Sequence, residues 1–188
     1  MSDVPARGKR RRDAAENREA ILAAALSALA EPGEVSLNSI AHRAGVANAT
    51  LYRHFPTRES LILEVYREEV RHVVEAADQL LAHHAPSAAL QEWVERLAQY
   101  AITKHGLADV LRTATNTDQP LHAETYDRIV GALATLLAAA EASGDVRPGL
   151  DPDDVILALA GLWQIEPTTG WRSRARQLYE LVFTGLRA

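Results

Sequence analysis

No cysteine occurs in the 188 residues, which removes disulfides and thiolate-ligated metal from consideration. Chain breakers are scarce: eight Pro and ten Gly interrupt a sequence that is 47% hydrophobic and rich in Ala and Leu. That balance favours helices over a sheet. No long apolar run is present either. The longest, residues 155–163, falls far short of the about 20 residues that a membrane-spanning helix needs. The N-terminus is basic but no apolar stretch follows it, so no signal peptide is predicted and a soluble, cytoplasmic protein is expected. Also missing are an H-E-x-x-H pattern, a Gly-rich phosphate loop and a Ser-His-Asp spacing, so the sequence lends catalysis no support. Seven histidines are present, but His83 and His84 are adjacent and face different ways on a helix. A metal site prefers His four apart or beside carboxylates, so neither a metal nor a cofactor is expected.

Charge is unevenly placed. The net value of −5 hides a first 60 residues with nine Lys/Arg against seven Asp/Glu, and a remainder that carries the whole acidic excess. Five of the nine basic residues fall in residues 7–12, four of them in the run GKRRR. A basic end is drawn to phosphate while an acidic body is repelled from it, which orients such a molecule on approach.

Residues 36–58, SLNSIAHRAGVANATLYRHFPTR, have the spacing of a helix-turn-helix. Ser36 suits an N-cap, and Leu37, Ile40, Ala41 and Ala44 fall on one helical face. Gly45 stands where a chain leaving a helix commonly needs a left-handed residue. A second helix over residues 48–54 would turn Leu51 inward, with Phe55 four residues on. Ala49, Thr50 and Arg53 then point outward, with Tyr52 and His54 on the flanks. In the DNA-binding form of this motif the second helix enters the major groove.

The pattern AxxAGVxxATLYRHFPTRESL over residues 41–61, preceded by Ser36-Leu37, resembles the signature of the TetR family of bacterial transcriptional regulators. The Gly45-Val46 turn, Thr50-Leu51-Tyr52, the His54-Phe55-Pro56 end and a basic residue opening the next helix match in order. The resemblance covers about residues 14–66. Ala47 and Asn48 depart from it, standing where such proteins often carry Ser and Lys, which removes a cap from the second helix. The resemblance implies an all-α fold with a three-helix DNA-binding head and a helical body for effector binding and dimerisation, about nine helices altogether. It assigns Tyr52 and His54 mainly to phosphate, with Arg58 at the start of the fourth helix. Thr50 and Arg53 are base-edge candidates, because Arg pairs bidentately with guanine and Thr touches a thymine methyl. Asn48 is suited to adenine, and Ser36 and Ala49 complete the candidate DNA-contacting set. Tyr52 as a boundary core residue, and Arg53 as a solvated or phosphate-only residue, stay open as alternatives.

The chain divides into a basic arm (residues 1–12), the DNA-binding head (13–56) and the body (57–188). The arm has no apolar face and is expected to be disordered in isolation, with Lys9, Arg10, Arg11 and Arg12 reaching phosphate or a minor groove; a solvated tail is its bland alternative. A first helix is predicted over residues 13–31 and a fourth over 57–83, the latter about 39 Å long and shared between head and body. The remaining helices fall at about 86–105, 107–115, from Pro120 to a stop at Gly144, 152–165 and 171–186. Asp151-Pro152-Asp153-Asp154 combines a cap, a proline at the first position and acidic charge at the positive helix end.

In the body, Trp93, Tyr100, Tyr126 and Trp163, with Thr103, His105 and Gln164, would form an effector pocket if they converge; ordinary core aromatics are the equal alternative. Val155, Leu159 and Leu162 on one helix, and Leu178, Val182 and Leu186 on the last, are the candidate dimer face, pairing as a four-helix bundle. The expected whole is a homodimeric repressor on a palindromic double-stranded DNA operator, released by a small-molecule effector and not associated with a membrane. Two other classes compete: a helical small-molecule-binding module without sequence reading, and a helical enzyme.

Overall fold

The computed structural model describes residues 4–29, 35–106, 119–166 and 170–186. Among them all regular structure is helical: α1 (Val4–Leu29), α2 (Leu37–Arg43), α3 (Asn48–His54), α4 (Arg58–His83), α5 (Pro86–Gly106), α6 (Gln119–Ala142), α7 (Pro152–Ala158), a 3-10 helix η1 (Leu159–Gln164) and α8 (Trp171–Leu186). The helix expected at 107–115 lies outside the described residues.

The head holds α1 to α3 and the start of α4. Helices α2 and α3 have seven residues each, too few to be stable alone, so burial must hold them. They contact each other and α1, and their inward residues Ile40, Ala41 and Leu51 are almost completely buried. From α1 come Ile21, Leu22, Ala25 and Ala28, and from the start of α4 come Leu61, Ile62 and Val65. Ser36 caps α2, its hydroxyl oxygen accepting from the Ser39 amide at 3.1 Å. Gly45 has φ of +67°, and a Cβ there would meet nothing within 4 Å. Its requirement is therefore conformational, not steric. The turn is closed by the Val46 amide donating to the Ala41 carbonyl at 3.0 Å. Ala47 caps α3 with backbone alone. At α4, Thr57 and Ser60 exchange bonds, each amide donating to the other's hydroxyl at 3.2 and 3.1 Å. This is a capping box with Ser in the usual Glu position.

Two expectations about this region change. Helix α1 begins at Val4, not at Asp13, so the backbone of Lys9, Arg10, Arg11 and Arg12 is helical and not a disordered arm. Pro5 is tolerated in a first turn, and Arg, Lys and Ala are good helix formers, so a helix anchored by Ile21 and Leu22 propagates backward. The chain also divides within α4, after Arg67, and not at Thr57.

The second unit comprises the rest of α4 with α5 to α8. Its core is Val70, Val73, Ala77 and Leu80 from α4, Leu90, Trp93, Val94 and Leu97 from α5, and Ile129, Leu133, Leu136 and Leu137 from α6. Val155, Ile156, Leu159 and Leu162 join from α7 and η1, and Ala175, Tyr179 and Phe183 from α8. Trp93 is fully buried and donates its indole N–H to the Val73 carbonyl at 2.8 Å, fixing α5 against α4. Arg176 and Glu95, 3.0 Å apart, tie α8 to α5. Helix α6 stops at Gly144, where φ is +78°. Asp151 caps α7, accepting from the Asp153 amide at 2.9 Å, with Pro152 in the first turn. The single helix expected over 152–165 changes to 3-10 winding at Leu159.

Two substitutions test the turn. Gly45→Ala should lower stability by about 1–2 kcal/mol, the cost of a side chain in the left-handed region. Ala47→Ser should raise it by about 1 kcal/mol by supplying the missing cap. Urea unfolding midpoints at constant slope check both; an unchanged midpoint for Gly45→Ala would contradict the turn.

Candidate nucleic-acid interface

With Leu51 fully buried, the period of α3 turns Ala49 and Arg53 to the surface, and Tyr52 on the flank and Asn48 at the first turn are exposed with them. Tyr52 is 45% exposed, one of the few large apolar-bodied side chains left open to solvent. Thr50 and His54 are half-buried on the flanks, the His54 ring lying 6.2 Å from that of Phe55. Arg58, half-buried, opens α4. The helix thus presents an amide, a phenol, a guanidinium and a hydroxyl from one short rod. This is the donor-rich mixture that reads base edges and holds phosphates. Ser36 is exposed, and its oxygen is occupied as an acceptor in the cap while its hydroxyl proton remains to donate. The Arg12 side chain is exposed on α1, whereas those of Lys9, Arg10 and Arg11 lie outside the described residues.

Asn38 and His42, four residues apart, are both exposed on α2. Arg18, counted among the basic residues of the head, is committed internally: it pairs with Glu64 of α4, and its guanidinium lies over the Phe55 ring at 5.8 Å from the centroid.

The expected effector residues differ in exposure. Trp93 and Tyr100 are buried on α5. Tyr126, by contrast, is 39% exposed on α6 and donates its hydroxyl proton to Asp153 at 2.9 Å, which raises its pKa. Trp163 is half-buried and Gln164 exposed, the latter on an open groove of about 830 Å³ shared with Trp171, Arg174 and Leu178. The side chains of Thr103 and His105 lie outside the described residues. On α5, Lys104 is half-buried, and burial lowers its pKa.

The dimer expectation changes too. Val155, Leu159 and Leu162 are buried within the chain's own core. Val155 and Leu159 close on Leu90, Val94, Tyr179, Val182, Phe183 and Leu186 around a void of about 10 Å³. Half-buried Val182 and Leu186 thus also face inward. The open apolar residues on these elements are Leu157 and Leu181, 72% and 74% exposed, with half-buried Leu178 one turn before Leu181. Among the described residues, no group of three or more His, Cys, Asp or Glu is placed to hold a metal. Nor is any helix there long and apolar enough to cross a membrane.

Comparison with known proteins agrees with this geometry. Residues 21–65 match the model of bacterial regulatory proteins of the tetR family, and residues 85–188 match that of the SbtR-like transcriptional regulator C-terminal domain. No curated protein matches the chain. A TetR transcriptional regulator from Streptomyces coelicolor is 39% identical, with a TM-score of 0.82 over 90% of this chain and 98% of that one. A TetR transcription regulatory protein from Mycobacterium vanbaalenii is 33% identical, with a TM-score of 0.75 over 95% and 99%. A ketosteroid transcriptional regulator of Mycobacterium tuberculosis, 21% identical with a TM-score of 0.59 over 91% and 95%, shares the fold alone. With its helix-turn-helix head, its helical body and these matches, the chain belongs to the TetR family and is a DNA-binding transcriptional regulator, not an enzyme.

Proposed function

We propose that this regulator is a homodimeric repressor that occupies a palindromic operator and leaves it when a small-molecule effector binds the body. The observation that carries the DNA-reading part is the division of α3 into a buried face, Leu51, and an exposed face of Asn48, Ala49, Tyr52 and Arg53. In this reading Tyr52, His54, Arg58 and Ser36 hold phosphate. Arg53, Thr50 and Asn48 read base edges, Ala49 allows close approach, and the basic turns of α1 from Lys9 to Arg12 add non-specific attraction.

Dimerisation through Leu157 and Leu181, with half-buried Leu178 beside Leu181, follows from the exposure of the first two. Large leucines left open on neighbouring elements gain by being covered, and a two-fold pairing presents two α3 helices to two half-sites. For the effector, α5 is the best-supported wall: Trp93 and Tyr100 are buried there and Lys104 half-buried, with Thr103 and His105 beside them in sequence. Helix α4 contributes residues to both units, so an effector that favours one α4 setting would weaken DNA binding, and DNA would weaken effector binding by the same factor.

Selection of bound duplexes from a random pool, at stated near-physiological salt, tests the central claim. A palindrome with half-sites about one helical turn (~34–36 Å) apart is expected. Recovery of no consensus, even after unfolding and refolding to strip any carried effector, would favour a helical binding module without sequence reading.

On the recovered operator, Arg53→Ala should cost about 1–3 kcal/mol and relax specificity at one position, while Tyr52→Phe should weaken all duplexes evenly. No change from either would mean that α3 does not enter the groove. Leu181→Glu should convert the dimer to a folded monomer in sedimentation equilibrium and remove operator binding. A dimer that persists in the variant would place the interface elsewhere.

A further inference from the structure

The Glu64 carboxylate, at the end of the second turn of α4 counted from the cap residue Thr57, accepts from two guanidiniums with its two oxygens. Arg18 of α1 reaches one, and Arg67, a turn further along α4, reaches the other at 2.6 Å. The two arginines differ in what lies behind them. Arg67 is half exposed and touches only its own helix in these contacts, a common i,i+3 pair. Arg18 spans 46 residues of sequence to reach Glu64, and its guanidinium covers the Phe55 ring within cation–π range. Phe55 is 2% exposed and is the residue that ends α3, its amide donating to the Leu51 carbonyl at 2.8 Å. Its ring also meets that of His54. The contacts therefore run from α4 through α1 to the C-terminal end of α3, the helix whose start has only a backbone cap. A seven-residue helix without a side-chain cap at one end is held in direction by what grips the other.

We propose that Glu64 is a positioning residue for DNA reading: by holding Arg18 on Phe55 it fixes the direction of α3, without itself touching DNA. The inference rests on the DNA-reading function proposed above and deepens it. It accounts for a basic residue of the head being held against a carboxylate when phosphate is the intended partner. Arg18 is spent on orientation. Charge alone would favour removing Glu64 from a DNA-binding head, since a carboxylate there opposes phosphate. A purely electrostatic account thus predicts that neutralising it tightens all binding, and positioning predicts the opposite for the operator only.

The test compares Glu64→Gln and Arg67→Gln with the unaltered full-length protein on operator and unrelated duplexes, with amide exchange of the DNA-free protein measured alongside. Glu64→Gln should lower operator affinity about tenfold, the scale of one mismatched base pair. It should leave affinity for unrelated duplex unchanged or slightly higher, and speed exchange over residues 51–55 but not over α2. Arg67→Gln should keep the operator preference, because the Arg18 contact remains. Equal losses on both duplexes together with faster exchange throughout the head would overturn the proposal in favour of a general structural role. Unchanged preference and unchanged exchange in Glu64→Gln would overturn it outright. If the unaltered protein itself shows no operator preference, the DNA-reading proposal fails instead, and exchange over residues 51–55 still decides whether Glu64 holds α3.

Discussion

The recognition surface depends on a helix that cannot exist alone. At seven residues α3 is far below the about 12–15 residues at which an isolated helix becomes marginally stable. Its first turn lacks a side-chain cap, and its one deeply buried member is Leu51. Packing of Leu51, followed by Phe55 at the helix end, therefore substitutes for intrinsic helix stability. The left-handed residue Gly45 is what lets the chain return to make that packing. Because so little of α3 is committed inward, Asn48, Ala49, Tyr52 and Arg53 carry almost no structural duty. That separation lets a reading surface vary while the head that carries it stays folded.

Electrostatics in the head follows the same division between holding and reading. Arg18, Glu64 and Arg67 form a cluster inside one unit, whereas Arg12 and Arg53 point to solvent. Further along α4, Arg71 pairs with Glu68 and Glu75 at three- and four-residue spacing. Such pairs add about 0.2–0.5 kcal/mol each to a helix and stiffen its exposed side. Within the head, Glu64 is neutralised by Arg18 and Arg67, while Arg12 and Arg53 stay open to a polyanion. A global count of −5 says little about where a polyanion would dock.

Where sequence was informative, the cause was local chemistry. Ser36, Gly45, Thr57, Gly144 and the Asp151-Pro152 pair act within a turn of their own position, and each marks a boundary that the structure keeps. The exposed residues of α3 were legible because a single buried Leu51 fixes the phase of a short helix. Elsewhere the determinants were distant. Nothing near residues 4–12 states that α1 extends back through them, since that follows from anchoring at Ile21 and beyond. The partners of Arg18 lie 37 and 46 residues away, so its charge looked available when it was not. Tyr126 and Trp93 read alike as body aromatics, yet one finds Asp153 at the surface and the other a backbone carbonyl in the core. Periodicity orders residues around one helix; it does not say which aromatic on one helix meets which on another.

The switch from α7 to η1 shows how a small change in winding decides which apolar residues are left for a partner. In a continuous α-helix, at about 100° per residue, Ile165 would stand about 120° around the axis from Leu159. In a 3-10 helix, with three residues per turn, Leu159 and Leu162 eclipse one another, and both are buried, as is Ile165 just past the helix end. Gly161 falls within this segment, where its helix propensity is about 1 kcal/mol worse than alanine's. Its bare Cα also faces Leu178 of α8, with 3.6 Å left to an added Cβ. The tighter winding therefore draws the inward leucines into the core that sequence pattern had offered to a partner. What remains outside is Leu157 on α7 and Leu181 on α8, each more than seven-tenths exposed, on two elements that both pack against η1. Apolar side chains so open gain little in the monomer from their own size. Their size makes physical sense when another surface covers them, and in a two-fold pair the same leucines serve both copies.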